Sequence, residues 1–89
     1  MKCLKEIVND LQERLPYKYI VKVDSDDKTI IDVYKEENTP WLQVDFDAIN
    51  DVMKNNDLLM WMRVENIVNS EGEFKFIPVI HIHRRIITD

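Results

Sequence analysis

His81 and His83 stand two residues apart in a segment rich in Ile, Val and Phe. In a strand, both imidazoles would leave the same face about 7 Å apart, a spacing from which two ligands reach one metal ion. The remaining ligands must come from elsewhere: Cys3 is the only thiol, and neither a Cys-x-x-Cys nor a His-Glu-x-x-His spacing occurs. The competing reading is a solvated strand face that runs on into Arg84 and Arg85, a basic end on an acidic chain.

Asp45 and Asp47 form an Asp-x-Asp pair of the kind used for Mg²⁺ or acid–base work. A helix N-cap at Asp47 and an exposed strand position at Asp45 account for both without chemistry. Asp24, Asp26 and Asp27 open like a calcium loop, but the downstream glycine and glutamate are missing from the required offsets, so they read as turn residues. Ser25 and Ser70 fall in polar turns, and a single glycine rules out both a Gly-x-Ser-x-Gly elbow and a glycine-rich phosphate loop. Cys3 is expected to pack at the edge of the first helix as a small hydrophobe. The expectation is a non-enzyme without a cofactor.

The elements that must position these residues follow from periodicity. Leu4, Ile7, Val8, Leu11 and Leu15 recur at helical spacing, and Pro16 ends that helix. Residues 17–24 alternate, with Tyr17, Tyr19, Val21 and Val23 on one face; the cluster Asp24-Ser25-Asp26-Asp27 turns the chain, and residues 28–36 return as an antiparallel partner. After a polar break at residues 37–40, Trp41 to Phe46 is expected as a third short strand with Leu42, Val44 and Phe46 facing the core. A short helix capped by Asp47 carries Ile49, Val52 and Met53 and leaves at Asn55-Asn56-Asp57.

Residues 58–68 fit a strand better than a continuation of that helix, because Leu58 to Met62 is apolar on all sides and Asn69 to Gly72 resembles a hairpin turn. Residues 73–87 form the last strand, in which Pro78 demands an edge position or a bulge. The order α-β-β-β-α-β-β predicts a small single α+β domain over residues 1–89. Its antiparallel sheet has about four to five strands, packed on the N-terminal helix, with a short second helix.

At 89 residues, 45% apolar and 33% charged, the chain holds one core and no more. Its longest apolar run, Leu58 to Met62, is far below the roughly 20 residues that span a bilayer, and the first residues lack a signal-peptide core. The expected location is the cytoplasm, with no membrane partner. One Gly and one Ala beside many Ile, Lys, Val and Asn suggest a low-GC gene, of the style of low-GC bacteria and their phages.

The net charge of −5 is local: residues 24–57 carry ten acidic and three basic side chains. Asp26, Asp27, Glu36 and Glu37 in this stretch are candidates for steering a basic or nucleic-acid-handling protein, while direct nucleic-acid binding is not expected. Trp41, Trp61, Tyr34, Met60 and Met62 are of the types favoured in interface cores. Apolar residues on both faces of residues 58–64 and 74–82 exceed what one short helix can cover, which points to a homodimer.

The expected function is therefore a small acidic protein-interaction module. One concrete version is a phage- or mobile-element-encoded inhibitor or accessory protein that binds a host protein. The alternative is a small-ligand or metal-binding protein that uses His81 and His83, or an aromatic pocket of Trp41, Trp61 and Tyr34 at a dimer interface.

Overall fold

A computed structural model describes residues 3–16, 18–35 and 39–84. Helix α1 spans Leu4–Arg14, β1 Tyr19–Val23, β2 Ile30–Lys35, α2 Gln43–Asn56, β3 Leu58–Val68 and β4 Phe74–Arg84. The four strands form one antiparallel sheet in the order β1-β2-β4-β3. This is the expected α+β class with four strands, within the expected four to five.

Both helices lie on one face of the sheet. Ile7, Leu11 and Leu15 of the first helical region and Ile49 and Val52 of α2 meet Tyr19, Val21, Ile31, Val33, Leu58, Ile80 and Ile82 in the main core. The side-chain alternation of each strand sends its other residues to the open face, where Tyr34, Ile77 and Val79 form a smaller cluster flanked by Ile20 and Ile67.

The expected third strand is the entry to α2. Leu42 and Val44 are 53% and 66% exposed, whereas Asp45 is buried, so the faces are the reverse of a strand with Leu42 and Val44 inward. Asp45 begins the stripe that Ile49 and Val52 continue, and it can do so because the Tyr19 hydroxyl donates to its carboxylate at 2.6 Å. A polar residue on the apolar stripe disguised the helical period. Leu42, not Asp47, occupies the N-cap position, and Asp47 instead accepts a bond from Gln43 at 3.0 Å.

Lys35 fastens the same entry. It is only 2% exposed, its Nζ donates to the carbonyls of Thr39 and Pro40 at 2.9 and 2.8 Å, and it lies over the rings of Tyr19 and Trp41. Burial, followed by the nearby charge of Lys18, lowers its pKa. Cys3 is exposed rather than packed, with its thiol 3.3 Å from a Glu6 carboxylate oxygen.

Asp57 leaves α2 in the left-handed region, φ 52°, and starts the long hairpin. Its register runs unbroken from Leu58↔Arg84 to Val68↔Phe74 without a bulge. Gly72, φ 82°, closes the turn, where Asn69 accepts bonds from the backbone of Glu71 and Glu73. The β2 ladder reaches only Val33↔Ile80, two residues short of Pro78. Beyond that point β4 pairs with β3 alone, and the hairpin continues as a two-stranded arm.

Candidate functional site

Position 32 puts a carboxylate in the middle of an otherwise apolar strand, Ile30-Ile31-Asp32-Val33-Tyr34. The antiparallel register sets Asp32 beside His81, and Trp61 on the other side of His81. Asp32 and His81 are each 6% exposed. His81 Nδ1 is 2.8 Å from Asp32 Oδ1, its Nε2 is 3.0 Å from Glu65 Oε1, and the Trp61 indole stacks on the ring at 5.3 Å between centroids.

Asp24 completes the cluster from the end of β1. Its Oδ1 accepts the backbone N–H groups of Asp26 and Asp27 at 2.8 and 3.0 Å, closing the β1–β2 turn. Its carboxylate also lies within 4.8 Å of ligand atoms of Asp32 and His81.

Burial first, then the Asp24 carboxylate, pushes Asp32 up to about 6, with His81 acting in the opposite direction. The neighbouring Asp32, followed by the two backbone donors, holds Asp24 below the usual carboxylate range. Carboxylates on both ring nitrogens are satisfied together only by an imidazolium or by a proton on one of the acids. A divalent cation is one species that would answer the charge of these carboxylates.

Asp24, Asp32 and His81 each offer a ligand atom, all within 4.8 Å of one another. Glu65 on the far nitrogen of His81 is the kind of outer carboxylate that orients a metal-bound imidazole. His83 shares the face but takes no part in this group: its ring meets Trp61 edge-on at 4.8 Å and lines a cleft of about 300 Å³ with Leu4, Lys28, Thr29 and Arg84. Of the expected histidine pair, His81 lies in this group and is buried, while His83 stands apart from it and is half-buried.

The remaining candidates are dispersed. Trp41 lies with the helix-side core, edge-on to Tyr19 at 5.0 Å and stacked on Phe46 at 5.3 Å, while Tyr34 and Trp61 belong to the open face. These three aromatics do not line one pocket within a protomer. Asp26 and Asp27 are exposed in the turn, and Asp27 accepts bonds from the backbone and hydroxyl of Thr29. Glu36 and Glu37 lie outside the described residues.

Met60 and Met62 belong to a larger surface that their type alone did not reveal. The β3–β4 hairpin presents Met60, Met62, Val64, Val68, Phe74 and Phe76 on the face that continues the helix-side core, and all six are 39–73% exposed. Neither helix extends over it, as α2 meets β3 only sparingly. A period-2 apolar pattern on both strands of the hairpin was the signal that could have found it.

No family model, curated protein or solved structure matches this chain.

Proposed function

We propose that the protein is a small, non-enzymatic interaction module that acts by binding another protein through the apolar face of the β3–β4 arm. The observation that carries this reading is the exposure of Phe74 and Phe76, 73% and 70%, in line with Met62, Val64 and Val68 on the helix side of the β3–β4 hairpin. Contiguous apolar surface of this kind on a small protein marks an interaction site. The accessible surface, 6090 Å², also exceeds the roughly 5,500 Å² expected of a compact monomer of this mass.

A phage- or mobile-element-encoded inhibitor of a host factor is the concrete version that size, acidity and codon-style composition suggest. The test is capture of a partner by the wild-type chain and by a Phe74→Ser, Phe76→Ser variant. Loss of capture with unchanged far-ultraviolet circular dichroism supports the arm, and capture that persists in the variant refutes it. Binding through the arm survives high salt, whereas binding through the acidic 24–57 stretch does not, because exposed charges are screened over about 8–10 Å.

A second reading is favoured by the cluster beneath Trp61. Asp24, Asp32 and His81 form a set of two carboxylates and one imidazole suited to Zn²⁺ or Mn²⁺, with Glu65 fixing the ring. It concerns the opposite face of the sheet from the exposed Phe74 and Phe76.

A further inference from the structure

We infer that β3 pairs antiparallel with β3 of a second copy about a two-fold axis at Val64, joining the two sheets into one of eight strands. The inference rests on the reading of the arm as an interaction surface and names what occupies it.

Pro78 decides which backbone groups are available. It has no N–H, so Val64↔Pro78 cannot be one of the pairs that exchange hydrogen bonds. Alternation along an antiparallel ladder then bonds the odd-numbered residues of β3 to β4, a phase continued at the turn by the bond from Asn69 N–H to the Glu73 carbonyl, 2.9 Å. Met60, Met62, Val64, Asn66 and Val68 consequently turn their N–H and C=O groups outward along the sheet edge.

The two edges of the sheet differ. β1 is five residues long, contains Lys22 and follows Lys18, the usual protections against edge pairing. β3 is eleven residues long, has no proline, and its two charges are of opposite sign, Arg63 and Glu65. A long flat edge of this composition is a template for another strand.

Those two charges select both the partner and the register. A two-fold axis perpendicular to the sheet keeps the helices of both copies on one side and pairs residues of equal parity. Centred on Arg63, the pairing sets Arg63 against the partner's Arg63; centred on Glu65, it opposes two glutamates. Centred on Met62, it places Arg63 against the partner's Trp61 and Glu65 against the partner's Leu59. Centred on Val64, Arg63 faces the partner's Glu65 and Glu65 faces the partner's Arg63, in the closely spaced pairs of the ladder where opposite charges stabilise.

That register also sets the apolar residues of the two arms in shared rows on the helix side of the joined sheet. Phe76 and Asn66 fall in one row with the partner's Met62 and Ile80, and Phe74 and Val68 in one row with the partner's Met60 and Ile82. Each arm tip is thereby laid beside the exposed Met60 and Met62 of the other copy. On the open face, Ile67 lies across from the partner's Trp61, the residue that roofs His81.

The test is light scattering on the full chain at high micromolar concentration, with variants checked for fold by circular dichroism. The wild type should run at twice its 10.7 kDa mass. Val64→Pro removes an outward N–H without touching a bond to β4 and should give a monomer. Arg63→Glu and Glu65→Arg alone each oppose like charges twice and should raise the dissociation constant about tenfold or more. An equimolar mixture of the two restores both opposite pairs and should associate about as well as wild type.

A monomeric wild type overturns the inference, as does a dimer indifferent to Val64→Pro or a mixture no tighter than its components. Should Glu65→Arg fail to fold, Val64→Pro and Arg63→Glu still decide. A monomer whose arm captures a different protein leaves the interaction reading standing and removes only the second copy.

Discussion

Val64 faces Pro78 across the β3–β4 ladder, and this pair separates the part of the hairpin that belongs to the sheet from the part that projects beyond it. Because proline cannot donate, the pair also sets the phase of every backbone bond on the outer strand. One residue type thus shapes the arm and exposes its edge.

The first expected outcome concerns amide exchange. Arg63 and Glu65, bonded to β4, exchange slowly at all protein concentrations, while Met62, Val64 and Asn66 exchange fast when dilute and slowly when concentrated. Residue-resolved exchange at two concentrations checks this. Equal protection of odd and even positions in dilute protein would contradict the phase assigned through Pro78.

Stability should depend on pH through Asp32. Its folded-state value is raised from 3.8 to about 6, so its contribution is fully present below about pH 4 and is lost as pH rises through about 6. The Asp24 shift has the opposite sign and acts only at the acid end, where that group protonates. Asp32→Asn mimics the protonated acid, and from pH 4 to 7 its stability relative to wild type should improve by about 1–2 kcal/mol. Parallel denaturant titrations in the presence of a chelator measure the difference, and a pH-independent difference would refute it.

Several features were legible in the sequence for identifiable reasons. The stripe of Ile7 and Leu11, the alternation around Val21, the Asp24 to Asp27 turn and the Asn69 to Gly72 turn each combine a period with a residue that ends it, so local rules sufficed. Trp41 to Phe46 misled because a buried Asp45 occupies an apolar stripe, permitted only by a tyrosine 26 residues away. The site failed to show for the same kind of reason. Asp32 and His81 are 49 residues apart and meet through a strand pairing that spacing along the chain does not encode.

The metal reading gives a third outcome. Zn²⁺ or Mn²⁺ added to chelator-treated protein should bind at one per chain and raise the melting temperature. Loss of protons from the ligands on binding should be seen as a binding enthalpy that depends on the buffer. His81→Gln and Asp32→Asn should each weaken binding at least about tenfold. An unmoved melting temperature at millimolar ion would end this reading.

Tyr19→Phe tests the anchor of α2. It leaves the buried Asp45 carboxylate without its 2.6 Å donor and should cost about 1–3 kcal/mol, with Asp45→Asn in the same background recovering part of the loss. Chemical denaturation of the two variants checks this, and an additive second loss would show that the pair contributes little.

The central claim is that the apolar face of the arm is a protein contact, and site-specific photocrosslinking tests it most directly. A photoreactive residue at Phe76 should give a discrete protein adduct, to a second copy or to another chain, while the same residue at exposed Asp51 on α2 should not. Absence of an adduct at position 76, or equal adducts at both positions, would contradict the account.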